Sequence, residues 1–263
     1  MKTDQPDIAR AVEAQSLKST DVECRIDINN LRKGFGPQEV LRDVSLKLYA
    51  QENLVVLGKS GTGKSVLIKC IVRLLEPDAG SINVLGIDLG TARPSDISDI
   101  RKKTGFLFQS GALYDSMTVK ENLEFPLRRI KKNLGEKELA DKVAEVLENV
   151  GLSHALNKMP SELSGGMRKR ISLARTIIVD PLIMLYDEPT TGLDPVTSNE
   201  ISALMNDVQR KYHTSSLIIT HDIACARATA NRIILLHEGL VYAEGLLDDF
   251  EKSTDPLIKS FFN

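Results

Sequence analysis

Asn53-Leu54-Val55-Val56-Leu57-Gly58-Lys59-Ser60-Gly61-Thr62-Gly63-Lys64-Ser65 decides the architecture, because an apolar strand from Asn53 to Leu57 runs straight into a glycine-rich octet. The octet Gly58 to Ser65 fits GxxxxGK[ST], and a helix beginning near Gly63 completes the order strand, loop, helix of a mononucleotide fold. Glycines at 58, 61 and 63 allow a backbone path that Cβ atoms would obstruct. On it, successive N–H groups converge on phosphate oxygens beside a helix N-terminus carrying roughly half a positive charge. Lys59, Ser60 and Thr62 belong to the same cradle. Lys64 is placed to reach the β and γ phosphates, and Ser65 to set its hydroxyl on Mg2+, an ion that takes oxygen ligands and keeps several waters. Alone, the octet specifies a nucleoside triphosphate and leaves kinases, GTPases and motor ATPases open.

Downstream, Ile183-Met184-Leu185-Tyr186-Asp187-Glu188 is an apolar strand ending in two carboxylates, with Pro189 opening a turn. Such a pair is often only a solvated turn. Behind a phosphate loop, Asp187 suits a residue that holds Mg2+ through water, and Glu188 a base that orients and polarises the attacking water. His221, in Ile218-Ile219-Thr220-His221-Asp222, also closes an apolar strand, where parallel sheets place ligand-contacting residues, and it can donate to a γ-phosphate. His154, His213 and His237 lack such company and read as ordinary surface or core residues.

The rest of the chain supplies the layers around this core. Residues 1–23 are polar, contain Pro6 and show no sustained period, so they read as a poorly ordered tail or a short, loosely attached helix. From Cys24, Arg25 to Leu31 and Val44 to Tyr49 alternate as half-buried strands do, with Gly34, Gly36 and Pro37 between them, which predicts an antiparallel β subdomain. Residues 111–180 shift to a 3.6-residue period: Leu139, Val143, Val146, Leu147 and Val150 mark a helix that Gly151 can close, within a helical subdomain. Ile183 to Tyr186, Leu217 to Thr220 and Ile233 to His237 are short strands separated by helical stretches such as Val196 to Lys211. The expected fold is α/β, one domain over 24–245 with a parallel phosphate-loop core and helices on its faces. Residues 246–263 follow as a C-terminal tail.

Composition excludes several classes. With 34 Lys plus Arg against 36 Asp plus Glu, interspersed and summing to −2, nothing predicts a nucleic-acid surface. The apolar runs are strand-sized, whereas a bilayer span needs about 20 apolar residues. The N-terminus MKTDQPDIAR has no apolar h-region, so no secretory signal is expected and the chain is expected to stay where it is made. Cys24, Cys70 and Cys225 have neither metal-ligand nor disulfide spacing and read as free thiols.

Leu163-Ser164-Gly165-Gly166-Met167, followed by Arg168, Lys169 and Arg170, resembles the LSGGQ signature of ATP-binding cassette proteins. With Gln109, Asp194 of Gly192-Leu193-Asp194-Pro195, and His221, the resemblance runs over roughly residues 25 to 245. Physically, Ser164 and the two glycines present a hydroxyl and bare N–H groups at a helix start, a second anion-binding end. The resemblance implies ATP with Mg2+, a role for Gln109 at the metal and the attacking water, and a head-to-tail homodimer. In that dimer each ATP lies between one copy's Gly58 to Ser65 and the other's Ser164, Gly165 and Gly166, with Asp194 close by. It also makes Phe35, just before a glycine turn, the candidate that stacks on adenine; a core Phe at a turn is the alternative. Met167 departs from the usual Gln, and Tyr186 stands where an apolar residue is common, so its hydroxyl needs a partner if buried.

Phe106-Leu107-Phe108-Gln109-Ser110-Gly111-Ala112-Leu113-Tyr114 is similar to the corresponding segment of ATPases of Mla/Mce-type lipid transporters, which Met167 also suits. That implies a bacterial complex moving phospholipid between inner and outer membranes. The ATPase would sit on the cytoplasmic face of the inner membrane beneath integral membrane permease subunits, with a small accessory subunit and a periplasmic Mce-type lipid-binding component. Ala112, Leu113, Tyr114 and Met117 would meet the permease. An importer for an amino acid or a metal chelate is the alternative, and a non-transport cassette protein of DNA repair or translation a more distant one. Phe261 and Phe262, paired near the chain end, suggest packing on a neighbouring subunit.

Overall fold

The computed structural model describes residues 22–109, 111–131 and 133–262, so the tail expected over 1–23 lies almost wholly outside the described residues. Ten strands form one curved sheet: β1 (Cys24–Phe35), β2 (Gln38–Tyr49), β3 (Asn53–Leu57), β4 (Ala79–Val84), β5 (Ile87–Asp88), β6 (Thr104–Leu107), β7 (Ile183–Asp187), β8 (Ser215–Thr220), β9 (Arg232–His237) and β10 (Leu240–Gly245). Their order across the sheet is β5-β4-β1-β2-β10-β9-β3-β8-β7-β6. The run β9-β3-β8-β7-β6 is parallel, while β5, β4, β1 and β2 pair antiparallel. One parallel pair, Leu240 with Asp43, and the antiparallel β9–β10 ladder join the two halves.

The α-helices among the described residues are α1 (Lys64–Ile71), α2 (Pro94–Lys102), α3 (Val119–Ile130), α4 (Glu136–Asn149), α5 (Gly165–Ile177), α6 (Pro195–Tyr212), α7 (Ile223–Thr229), α8 (Leu247–Glu251) and α9 (Pro256–Phe262). The central strands are buried on both faces, and their alternate residues feed two cores. Val55, Leu57, Tyr186, Ile218 and Leu235 point into one with α3, α4, α5 and α6, whereas Leu54, Val56, Leu185, Ile219 and Leu236 point into the other with α1 and the antiparallel strands. Burying each such aliphatic side chain contributes roughly 1.5–3 kcal/mol, which is why unbroken apolar runs mark these strands.

Four strands have no clear sequence signal. β4, β5, β6 and β10 are short or only partly buried, so their apolar residues do not alternate cleanly. The last helices lie on their own chain. Asp255 caps α9 by accepting from the N–H groups of Leu257 at 2.8 Å and Ile258 at 3.0 Å, and Tyr242 donates to it at 2.8 Å. Ile258 is fully buried, and the Phe262 ring lies 5.9 Å from that of Phe250. Phe261 and Phe262, expected to pack on a neighbouring subunit, are half-buried against this core.

Tyr186 is 0% exposed, and its hydroxyl has no hydrogen-bond partner among the described residues. Burial also drives its pKa far upward, so it stays a neutral and unsatisfied phenol. Tyr186→Phe is therefore expected to stabilise the protein by about 1 kcal/mol, a melting temperature roughly 2–4 °C higher. A lower melting temperature would show that the hydroxyl does find a partner.

Candidate functional site

Strand register assembles the site. Leu57 pairs with Thr220 and Asp187 with Ile219, so the C-terminal ends of β3, β7 and β8 lie together and deliver Gly58, Glu188 and His221 to one edge of the sheet. Gly63, at φ +98°, opens α1; a Cβ there would meet Leu41 at 2.8 Å and Val40 at 3.0 Å, so the loop lies directly on β2. A cleft of about 380 Å³ opens there, lined by Val40, Ser60, Gly61, Gly63, Lys64, Ser65, Val66, Gln109, Glu188, Thr191 and His221.

Within it Lys64 is buried, and its ammonium donates to the carbonyls of Gly58 at 2.7 Å and Lys59 at 3.0 Å. The ammonium also stands 3.4 Å from Glu188 Oε1. The other Glu188 oxygen accepts from the Thr191 hydroxyl at 3.2 Å, pairs with His221 Nδ1 at 2.8 Å and takes a long bond from the His221 backbone N–H at 3.4 Å. Glu188 occupies φ +51°, a strained conformation for a non-glycine residue, and its N–H donates to Ile219 at 2.9 Å. That backbone twist turns the carboxylate off the strand and into the cleft. Asp222 steadies the next loop: it caps α7 through Ala224 and Cys225 and accepts from the Thr190 hydroxyl at 2.8 Å.

Ser65 donates to Asp187 Oδ1 at 2.9 Å, and Gln109 lines the same cleft. Burial raises the Asp187 carboxyl above its usual range, with the Ser65 hydrogen bond opposing. A hydroxyl, a carboxylate and an amide make an all-oxygen donor set with few protein ligands, which suits Mg2+ shared with phosphates. No group of three or more His, Cys, Asp or Glu side chains among the described residues offers an all-protein cage instead. The cysteines take no part: all three are free, and burial pushes the Cys70 and Cys225 thiols up to about 11.

The signature residues lie elsewhere. Ser164 caps α5 by accepting from Met167 N–H at 3.2 Å, and neither it nor Gly165 nor Gly166 lines the cleft. Asp194 caps α6, accepting from Thr197 N–H at 3.0 Å, and a Cβ on Gly166 would lie 2.6 Å from Thr197. The fold thus unites Asp194 with the signature rather than with the phosphate loop. Phe35 is 48% exposed, lies outside the cleft lining, and has Lys33 Nζ 5.6 Å from its ring centroid. Sequence reading missed Val40, Thr191 and Lys169. Val40 reaches the loop from another strand, Thr191 is one of two adjacent threonines, and Lys169 looks like one more surface cation in a basic run.

Residues 41–191 match the family model described as ABC transporter. A curated relative, the "Probable ribonucleotide transport ATP-binding protein mkl" of Mycobacterium tuberculosis, is 41% identical over 238 residues, 90% of this chain and 66% of its own length. This chain therefore spans slightly under two thirds of that protein. "Protein TRIGALACTOSYLDIACYLGLYCEROL 3, chloroplastic" of Arabidopsis thaliana is 36% identical over 92% of this chain and 74% of its own. Among solved structures, a dimeric post-hydrolysis ATP-binding cassette bound to ADP and Pi superposes with a TM-score of 0.77 at 30% identity, covering 84% of this chain and 98% of that one.

Proposed function

The chain belongs to the ABC transporter family, and from that premise we propose that it is the ATP-binding and ATP-hydrolysing subunit of a bacterial transporter whose cargo is phospholipid. One observation supports the hydrolytic reading above the rest: Glu188 stands in the cleft between the buried Lys64 and His221. The N–H groups of Gly58 to Ser65 would cradle the phosphates while the Lys64 ammonium exchanges its two carbonyls for β and γ oxygens. Ser65, Asp187 and Gln109 would hold Mg2+, which when bound offsets phosphate charge. Glu188 would orient the attacking water, with His221 and Thr191 fixing the carboxylate. The exposed Phe35 ring is the adenine platform in this reading.

Because Ser164 lies outside the cleft that its own phosphate loop lines, a second copy is needed to bring a signature to the nucleotide. The permease would dock where Ala112 and Tyr114 are exposed, and a groove of about 1370 Å³ lined by Arg73, Arg101, Arg129 and Lys131 among others offers a further surface. No helix among the described residues is long and apolar enough to cross a membrane, so attachment at the inner membrane would run through that permease, with the accessory and Mce-type components as further partners.

The segment Phe106 to Tyr114 supports a lipid cargo, and the name of the Arabidopsis relative contains a galactolipid. A small polar cargo is the second reading: the mycobacterial relative is named for ribonucleotide transport, and a methionine import protein of Brucella abortus is 36% identical over 84% of this chain. Capture of the tagged chain with its permease, followed by mass spectrometry of bound small molecules, separates them. Phospholipid at about one or two molecules per complex is expected. A lipid-free complex whose ATPase responds to methionine or a ribonucleotide would overturn the lipid reading.

A further inference from the structure

One face of α5 is used in a way that no nucleotide contact requires. Lys169, Ser172 and Arg175, spaced i, i+3 and i+6, all meet the loop that follows β6. Lys169, only 6% exposed, donates from Nζ to the carbonyl of Gln109. Ser172 is 2% exposed, and a Cβ on Gly111 would come within 2.7 Å of its Oγ, so the loop backbone lies directly on the helix. Arg175 donates to the carbonyl of Ala112, and its guanidinium sits 4.5 Å from the centre of the Tyr114 ring.

Lys169 is the costly member of this set. An ammonium with three donors is buried on a single carbonyl acceptor among the described residues. Burial pushes its pKa down, while the charges of Asp187 and Glu188 pull it up, so it lies within electrostatic reach of both acids. Moving the Gln109 loop away from α5 would leave that charge with no acceptor. Helix and loop are therefore expected to move as one body. The N-cap of the same helix is Ser164, so the body carries both the signature serine and the glutamine that lines the phosphate cleft.

We propose that Lys169 is a positioning residue for ATP hydrolysis, tying the Gln109 loop to the signature helix so that Gln109 enters the site in a fixed relation to Ser164. The inference rests on the hydrolytic reading above and adds a residue to it. Lys169 does not line the phosphate cleft and acts through the Gln109 backbone.

The test compares steady-state ATPase of the full chain as wild type, Lys169→Met, Lys169→Arg, Gln109→Ala and the double Lys169→Met/Gln109→Ala, well below each melting temperature. Lys169→Met is expected to lower kcat by roughly ten- to a hundredfold, because a small misplacement of a positioned group costs that much, while KM for ATP stays within about twofold. Lys169→Arg should restore most of the rate, and the double variant should be no slower than Gln109→Ala, since both losses run through one residue. A merely structural lysine would give additive losses in the double variant and no rescue by arginine; either outcome overturns the proposal, as does a Lys169→Met rate within twofold of wild type. If Lys169→Met does not fold, Lys169→Ala, which likewise removes the donor to the Gln109 carbonyl, carries the same comparison. A wild-type chain without ATPase would defeat the hydrolytic reading and the tie with it, whereas hydrolysis indifferent to position 169 defeats the tie alone.

Discussion

Glu188→Gln is expected to lower ATP turnover by at least about a hundredfold, the lower bound for losing a positioned general base, while the protein still binds ATP. The glutamine amide can occupy the same space beside Lys64, Thr191 and His221 and keep part of their hydrogen bonding, so the cleft should hold its shape. The loss is the carboxylate's basicity toward water. With ATP bound and not consumed, two chains joined through their nucleotides should persist. Size-exclusion chromatography in ATP should then show a dimer that the wild type forms only in passing. Wild-type turnover by purified Glu188→Gln protein would remove Glu188 from the role of base.

Lys64→Ala should act one step earlier. Its ammonium is buried at 5% exposure, held by two carbonyls and paired with Glu188, so it is ordered before any phosphate arrives. Each charge-assisted hydrogen bond to phosphate contributes about 1.5–3 kcal/mol, so losing this donor should weaken ATP binding by roughly ten- to a hundredfold. The same change leaves Glu188 buried without its cation and next to Asp187, whose carboxyl is already pushed above its usual range by burial. A lower melting temperature of the nucleotide-free protein is therefore expected alongside the weaker binding. Calorimetric titration with ATP measures the first effect, and an unchanged Kd would contradict the assignment.

Much of this site could be read from the chain because its parts are contiguous. The octet Gly58 to Ser65, the strand ending in Asp187 and Glu188, and the strand before His221 are each a local run in which apolar burial and terminal chemistry sit side by side. A central parallel strand must be apolar on both faces, so its signal survives without any partner in view. The parallel core was legible for that reason, the antiparallel β subdomain from the alternation of its half-buried strands, and the capping role open to Ser164 from its place before a helix.

Contacts between distant residues were not legible. Lys169 meets Gln109 across sixty positions, and its neighbours in sequence, Arg168 and Arg170, are cations that reach solvent or Glu200. Only the packing of α5 against the loop after β6 tells them apart. The strands β4, β5, β6 and β10 form because neighbours supply their hydrogen bonds, not because their own residues alternate. Phe262 packs near Phe250, and Phe261 and Phe262 both lie half-buried on the main core, a contact with their own chain that the paired aromatics do not announce in sequence. The expectation of nucleotide chemistry came from sequence, since backbone path, charge and candidate metal donors are properties of short runs. The tertiary structure alone decided which acids, cations and carbonyls face one another, because that depends on strand register and helix packing, which sum over the whole chain.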